Sequence, residues 1–361
     1  MTASPNFPAN YAAGRERFRA VAAQAGGALH VERHPLSGPA GEELSVDAAW
    51  FGPADAERAL LLVSATHGVE GFCGSGCQVG WISGGGPARL PKGYGALVIH
   101  AINPHGFAWL RRVNEDNIDL NRNFVDFTRP LPENKPYDEI AAALDPVAWT
   151  EAARAASDKV LEDYARKHGD FALQSAISRG QHRHPGGLFY GGLKPTWSHR
   201  TLLSLAARFL GRCGRVGFID LHTGLGPYGY GEAICMHSPG TPGMARCTAW
   251  YGKELTSPER GDSKSAVVIG TLIEGLERAL PATAFSAIAI EYGTQPVRDV
   301  MLALRADNWL HRHGDPASAQ GRAIKAQIRD AFYQDKDDWK NMVQARALQL
   351  IDRALAGLGA A

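Results

Sequence analysis

Several features that mark particular protein classes are missing from this 361-residue sequence. No apolar run approaches the roughly 20 residues that a bilayer-spanning helix needs, and the first residues lack the basic and then apolar pattern of a signal peptide. The formal net charge is only +1, which gives no reason to expect nucleic acid or an anionic membrane as a partner. The five cysteines form an odd and scattered set, which is more typical of reduced thiols than of a disulfide framework. These absences favour a cytoplasmic globular protein.

The residues that are present suit one large α/β domain. Hydrophobic residues make up 45% of the chain, which is enough for a sizeable core. Continuous apolar runs at 59–63 and 96–102 predict strands that are covered on both faces, and helical patterns separate such runs. This alternation predicts an α/β fold with a mixed, mostly parallel central sheet flanked by helices. We find no repeat and no linker, so we expect a single domain over residues 1–361.

The amino-acid composition of the sequence changes between about residues 125 and 205. Residues 124–136 are rich in proline and polar side chains, and residues 137–178 are rich in alanine with a helical pattern. A glycine-rich stretch, Gly180–Gly192, follows them. We interpret 125–205 as a helical insertion that either caps a cleft or elaborates the surface.

The first candidate site is the loop that follows the apolar run at 59–63. It reads Ser64-Ala65-Thr66-His67-Gly68-Val69-Glu70-Gly71. The imidazole of His67 and the carboxylate of Glu70 are both accepted zinc ligands, and the glycines allow the backbone to turn sharply. The pattern His-x-x-Glu is frequent by chance, so taken alone it is more typical of a polar turn after a core strand.

Two more predicted strands end in residues of the same kind, His222 and Glu291. Because ligands of open α/β sheets bind beyond the carboxyl ends of the strands, we expect these residues to converge with His67 and Glu70. Two histidines and one glutamate with an open fourth position form a catalytic zinc set. Glu291 would then be the separate carboxylate that takes a proton from water. Asp220 lies on the same side of its strand as His222, and it either orients a histidine or is a buried structural aspartate.

A segment dense in arginine and asparagine, Arg111–Phe124, supplies the candidate substrate anchors. Arg122 can clamp a carboxylate through two parallel hydrogen bonds, and Asn121 can add a third. Arg111 or Arg112 can polarise a scissile carbonyl and hold the oxyanion that develops on it. The alternative is a solvated loop held by pairs of opposite charges.

Taken in order, these motifs resemble those of the zinc carboxypeptidase superfamily, which includes the aspartoacylase and succinylglutamate desuccinylase branch. The matching pieces are His67-x-x-Glu70, Asp119-Leu120-Asn121-Arg122-Asn123-Phe124, His222 and Glu291-Tyr292-Gly293. They extend over most of the chain, and the nearest resemblance is to a bacterial group of carboxypeptidase-like proteins of uncharacterised function. The insertion makes the interval between Glu70 and His222 long for this superfamily.

The resemblance implies a role for each residue of the metal site. One zinc ion would be bound by His67, Glu70 and His222. Glu291 would act as the general base and then as the general acid.

The resemblance also implies how a substrate is held. Asn121 and Arg122 would anchor a terminal carboxylate, and an arginine shortly before them would polarise the carbonyl. We predict Arg112 for this role rather than Arg111, although the spacing does not settle the choice. The mobile tyrosine of the family's carboxypeptidases has no clean match among Tyr228, Tyr230 and Tyr251.

The predicted activity is therefore the zinc-dependent hydrolysis of an amide bond next to a free carboxylate, as in a metallocarboxypeptidase. One alternative is an N-acyl amino acid amidohydrolase of the aspartoacylase and succinylglutamate desuccinylase type. Another is a non-catalytic binding protein on a degenerate peptidase fold. The expected partner is a small peptide or an N-acyl amino acid with a free carboxylate, and neither nucleic acid nor a membrane is expected.

Overall fold

The computed structural model describes residues 2–360, and one eight-stranded sheet lies at its centre. The strands are β1 (Ala28–Ser37), β2 (Glu43–Phe51), β3 (Arg58–Val63), β4 (Tyr94–His100), β5 (Arg215–Tyr228), β6 (Gly231–Cys235), β7 (Leu255–Thr256) and β8 (Ala284–Gly293). Their order across the sheet is β1-β2-β4-β3-β5-β8-β6-β7. The central strands β4, β3, β5 and β8 are parallel, and β7 is parallel to β6. The pairs β1–β2, β2–β4 and β6–β8 are antiparallel, so the predicted mixed, mostly parallel sheet is confirmed.

Twelve α-helices within the described residues flank this sheet. They are α1 (Tyr11–Gln24), α2 (Gly71–Ser83), α3 (Pro104–Ala108), α4 (Lys135–Leu144), α5 (Glu151–His168), α6 (Asp170–Ser178), α7 (Trp197–Leu210), α8 (Pro242–Tyr251), α9 (Leu272–Ala279), α10 (Val297–His313), α11 (Ala319–Phe332) and α12 (Asp337–Gly359). Across residues 2–360, no helix combines the length and the apolar character that crossing a membrane requires.

The central strands are buried on both faces, which explains why their sequences are continuously apolar. In β3, Leu60 and Leu62 belong to the hydrophobic cluster on one face of the sheet. Leu61 and Val63 belong to the cluster on the other face. Full burial of each such side chain contributes about 1.5–3 kcal/mol to stability. The carboxyl ends of these strands are therefore rigid positions for the residues that follow them.

The predicted insertion contains α4, α5, α6 and the first part of α7, which continues to Leu210. Its apolar side chains form a cluster that also includes Val69, from the loop after β3, and Val300 and Phe332, from α10 and α11. The insertion therefore packs against the end of the sheet at which the His67 loop lies.

All five cysteines, which fall within the described residues, are buried and free of disulfide bonds. This agrees with the interpretation of the cysteines as reduced thiols.

Candidate metal centre and substrate cavity

Three predicted ligands converge at the carboxyl ends of β3 and β5. His67 lies in the loop that follows β3, Glu70 ends a single turn of 3-10 helix, and His222 lies in β5. One donor atom from each residue lies within 4.8 Å of the others. The Nδ1 atoms of His67 and His222 are 3.1 Å apart, and the Glu70 carboxylate oxygens lie 2.9 Å and 3.1 Å from them. The structure thus places the three side chains around one point.

The backbone of the His67 loop is held by close contacts that demand glycine. The amide of Gly68 donates to the carbonyl of Arg112 at 3.0 Å. A Cβ atom on Gly68 would lie 2.0 Å from the carbonyl carbon of Gly106, so any larger residue would displace the loop. Ala65 has a φ of 56°, a left-handed conformation that is uncommon outside glycine. The tertiary contacts therefore determine the direction in which His67 points.

A buried carboxylate lies at the outer nitrogen of each histidine. His222 Nε2 is 2.7 Å from Asp220 Oδ2, and His67 Nε2 is 3.2 Å from Asp119 Oδ1. Asp220 also accepts a hydrogen bond from the Thr66 hydroxyl at 2.7 Å. At His222 the Asp220 carboxylate keeps a proton on Nε2, which leaves Nδ1 as the nitrogen that can bind a cation. At His67, Nε2 faces both Asp119 and an N–H group of Arg112. This donor set fits a zinc ion, which binds histidine nitrogen and carboxylate oxygen.

The charges around the cluster also suit a cation. Burial alone would raise the pKa of Glu70, but the neighbouring His67 and His222 hold that pKa well below its usual range. Burial alone would lower the pKa of His222, but Asp220 and Glu70 hold it well above its usual range. Burial likewise opposes ionisation of Asp119, yet Arg112 and His67 keep its pKa low. Glu70 and Asp119 are therefore both charged, and a cation that displaces a proton between the histidines would be attracted to them.

Of the two candidate arginines, Arg112 reaches the cluster. Its Nε donates to Asp119 at 3.0 Å, and its Nη1 donates to Glu70 at 3.3 Å. Its Nη2 lies 2.7 Å from His67 Nε2. Arg111 instead donates to Asp307 and Asn117, and it does not line the cavity described next.

A cavity of about 680 Å³ opens beside the cluster. Its volume lies in the range that accommodates a small organic ligand. Six of the predicted site residues share its wall, namely His67, Arg112, Asn121, Arg122, His222 and Glu291. Four residues of the insertion also line it, namely Gln174, Ile177, Ser178 and Phe189. Of the two interpretations of the insertion, the structure thus favours the one that places it over a cleft.

Glu291 faces this cavity from β8. Its register partner in β5 is His222, so strand pairing alone places it beside the predicted metal site. Burial and the charge of Glu70 raise the pKa of Glu291 to about 8. A carboxyl group with such a pKa can take up and release a proton near neutral pH.

Arg122 is buried at the cavity wall and already has protein partners. Its Nε and Nη2 donate to the carbonyl of Ser178 at 2.9 Å and 2.5 Å, and its Nη1 donates to the carbonyl of Asn121 at 2.8 Å. A guanidinium group has five N–H donors, so two remain for a ligand. Burial lowers its pKa to about 10, which still leaves it charged at neutral pH. The Asn121 side-chain oxygen accepts from the amide of Leu272, and its NH₂ group remains for a ligand.

None of the three candidate tyrosines lines the cavity. Tyr228 and Tyr230 are exposed at 36% and 46%, and Tyr251 is buried in the core. Two residues that the sequence analysis assigned no role now join the site. Asp119 belongs to the Asp-Leu-Asn-Arg motif, and its place two residues before Asn121 could have indicated a role in the site. No sequence pattern indicated a role for Phe189.

Comparison with known proteins gives a family and a set of distant structural similarities. No curated protein matches the chain. A metallo-carboxypeptidase from Burkholderia cenocepacia is similar at 12% identity and a TM-score of 0.40, over 96% of this chain and 70% of that one. The murein-tripeptide amidase MpaA from Escherichia coli O157 is similar at 15% identity and a TM-score of 0.31, over 80% of this chain and 89% of that one.

A further solved structure is the metallo-carboxypeptidase from Pseudomonas aeruginosa in complex with (2-guanidinoethylmercapto)succinic acid. It matches at 14% identity and a TM-score of 0.36, over 94% of this chain and 69% of that one. These similarities are too distant to support an argument about the chemistry, so evidence on the chemistry comes from the site itself. The model of the family described as "Protein of unknown function (DUF2817)" matches residues 7–346, and the chain therefore belongs to that family.

Proposed function

We propose that this protein is a zinc-dependent hydrolase that cleaves an amide bond next to a free carboxylate, in the manner of a metallocarboxypeptidase. The observation that carries the proposal is the arrangement of His67, Glu70 and His222, whose inner donor atoms converge while buried carboxylates lie at the outer histidine nitrogens. These three residues would hold the ion. When bound, zinc supplies a Lewis acid and a water molecule with a pKa near neutrality.

Glu291 would move the protons of the reaction. Its carboxylate faces the cavity and has a pKa raised to about 8 by burial and by Glu70. It would take a proton from the attacking water and deliver it to the leaving amine. Such general acid–base catalysis typically contributes about 10²–10⁴-fold to the rate.

Arg112 and Arg122 would contact different groups of the substrate. Arg112, which now donates to Glu70, would turn its terminal N–H groups toward the scissile carbonyl and stabilise the oxyanion. Arg122 would use its two remaining donors on the substrate carboxylate, and the free NH₂ group of Asn121 would add a third hydrogen bond. Fixing the carboxylate holds the amide at a constant distance from Glu291.

The proposal is tested with zinc-loaded protein and a set of small amides. N-benzoylglycyl-phenylalanine offers a free carboxylate, its C-terminal amide lacks one, and N-acetylphenylalanine represents the N-acyl amino acids. We expect hydrolysis of the first and none of its blocked form. Hydrolysis of N-acetylphenylalanine alone would identify a deacylase instead. Absence of both zinc binding and hydrolysis would favour a non-catalytic protein.

The role of Glu291 is tested by Glu291→Gln, with Glu232→Gln as the matched control. Glu232 is the register partner of Glu291 in β6, but it does not line the cavity and accepts hydrogen bonds from Thr256 and Lys264. We expect Glu291→Gln to keep one zinc ion and to lose about 10²–10⁴-fold in kcat, with a much smaller loss for Glu232→Gln. Full activity of Glu291→Gln would refute the assignment.

A further inference from the structure

The aromatic ring of Phe189 contacts both arginines of the site. The guanidinium carbon of Arg112 is 5.1 Å from the ring centre, and that of Arg122 is 5.5 Å from it. Both distances are within the roughly 6 Å at which a cation is attracted to an aromatic face. Phe189 is 6% exposed, so little water competes with these contacts.

The backbone at Phe189 is held in a conformation that a bulky residue rarely adopts. Its φ is 54°, in the left-handed region where large side chains are outliers. Such outliers persist only where surrounding contacts impose them, and they are concentrated at functional sites. Here the carbonyl of Phe189 accepts from the amide of Gln181 at 3.2 Å, and the carbonyl of the next residue, Tyr190, accepts from the amide of Asp119 at 2.8 Å. The second bond ties the loop directly to the segment that carries Arg122.

The glycine-rich loop is fitted closely to that segment. A Cβ atom on Gly180 would lie 2.7 Å from Arg122 Cδ. A Cβ atom on Gly191 would lie 2.7 Å from the carbonyl oxygen of Arg122. Neither position has room for a larger residue, so the loop packs closely against Arg122 on both sides of Phe189 in the sequence.

We propose that Phe189 is a positioning residue that fixes the spacing between Arg112 and Arg122. This inference rests on the proposed function, in which one arginine contacts the scissile carbonyl and the other contacts the carboxylate. A fixed spacing would favour one separation between the scissile amide and the carboxylate. Substrates that end in an α-amino acid and in a β-amino acid differ by one carbon in this separation, so they should be hydrolysed at different rates.

The test compares Phe189→Leu with Phe189→Tyr and with Leu188→Ala. Phe189→Leu and Leu188→Ala each remove three side-chain carbons from the same hydrophobic cluster, but only the first removes an aromatic ring. Phe189→Tyr keeps the ring. The substrates are N-benzoylglycyl-α-phenylalanine and N-benzoylglycyl-β-phenylalanine, and zinc content and thermal midpoint are measured for every variant.

With the α-substrate we expect Phe189→Leu to lower kcat about tenfold and to raise KM about tenfold, since each arginine loses one buried cation–aromatic contact. We also expect its preference for the α-substrate over the β-substrate to fall about tenfold, while Phe189→Tyr retains both activity and preference. Leu188→Ala should lose stability while keeping the preference of the unmodified protein.

Two results would overturn the proposal while leaving the proposed function intact. One is an unchanged preference in an active, folded Phe189→Leu variant. The other is an equal loss of preference in Leu188→Ala, which would show that packing alone is responsible. If the unmodified protein hydrolyses neither substrate, the proposed function itself fails, and this inference fails with it.

Discussion

Replacing Asp220 by asparagine tests the outer contacts of the proposed metal site directly. Asp220 is fully buried, and its two oxygens accept from His222 Nε2 and from the Thr66 hydroxyl, each at 2.7 Å. Asparagine has nearly the same shape but carries no charge and has only one oxygen. His222 would therefore lose the charged partner that keeps its proton on Nε2 and makes its Nδ1 a stronger donor to a cation.

The expected cost follows from this single lost charge contact. Removing such an outer partner typically weakens metal binding by about 10–100-fold, which corresponds to about 1.4–2.8 kcal/mol. Thr66→Val keeps the Asp220 carboxylate and removes only the hydroxyl that supports it. We therefore expect Thr66→Val to weaken zinc binding by less than about tenfold. The lost hydrogen bond reaches Asp220, which contacts His222 and would not contact the zinc ion itself.

The assay is competition for zinc between the folded protein and a chromogenic chelator at pH 7. Asp47→Asn is the matched control, because Asp47 is equally buried but pairs with Arg15 and Arg19 at the other side of the sheet. We expect the control to lose stability and to keep its zinc affinity within about twofold, as independent sites do. If a folded Asp220→Asn variant bound zinc as tightly as the unmodified protein, His222 would not be the ligand that we infer.

Three further predictions concern the same framework. Removal of zinc by a chelator, from a concentration about 1,000 times its dissociation constant, should cost about 4 kcal/mol and lower the thermal midpoint by about 5 °C for a chain of this length. Gly68→Ala should destabilise the protein by several kcal/mol because its Cβ would lie 2.0 Å from a backbone carbon of Gly106, whereas the exposed Gly214→Ala, with no contact shorter than 3.9 Å, should leave the midpoint of urea unfolding unchanged or slightly raised. Burial lowers the pKa of His100 from 6.5 to about 3, so stability present above pH 6.5 is lost as the pH falls. The free energy of unfolding should decrease between pH 7 and pH 5, and we expect this decrease to be about 2 kcal/mol smaller in His100→Gln than in the unmodified protein. An equal decrease in both proteins would contradict this account.

The sequence was sufficient to predict the central strands, but it did not predict how every strand pairs with its neighbours in the sheet. β3 and β4 have apolar side chains on both faces, so their runs are continuous and need no knowledge of neighbours. The antiparallel direction of β6 against β8 has no local signal, because it depends on where the chain returns to the sheet. The helical stretch at 137–178 is three helices rather than one, and Gly169, with a φ of 94°, separates the last two. The presence of helix was thus predictable, whereas the break at Gly169 depended on one backbone angle.

Some residues of the site could likewise be predicted from local sequence patterns, whereas others depend on tertiary contacts. His67, His222 and Glu291 each follow or end an apolar run, and parallel strands place their carboxyl ends at one edge of the sheet, so their convergence follows from the fold class. Phe189 lies in a glycine-rich stretch without periodicity, and its contact with two arginines requires a left-handed backbone that the sequence does not encode locally. In the proposed function, the metal ligands and Glu291 lie in the central strands or in the loop that follows β3, where the sequence pattern is readable. The residue proposed to set the spacing of the two arginines lies on an insertion, where only tertiary contacts determine its position. Substrate preference would then depend on the part of this chain that its motifs describe least.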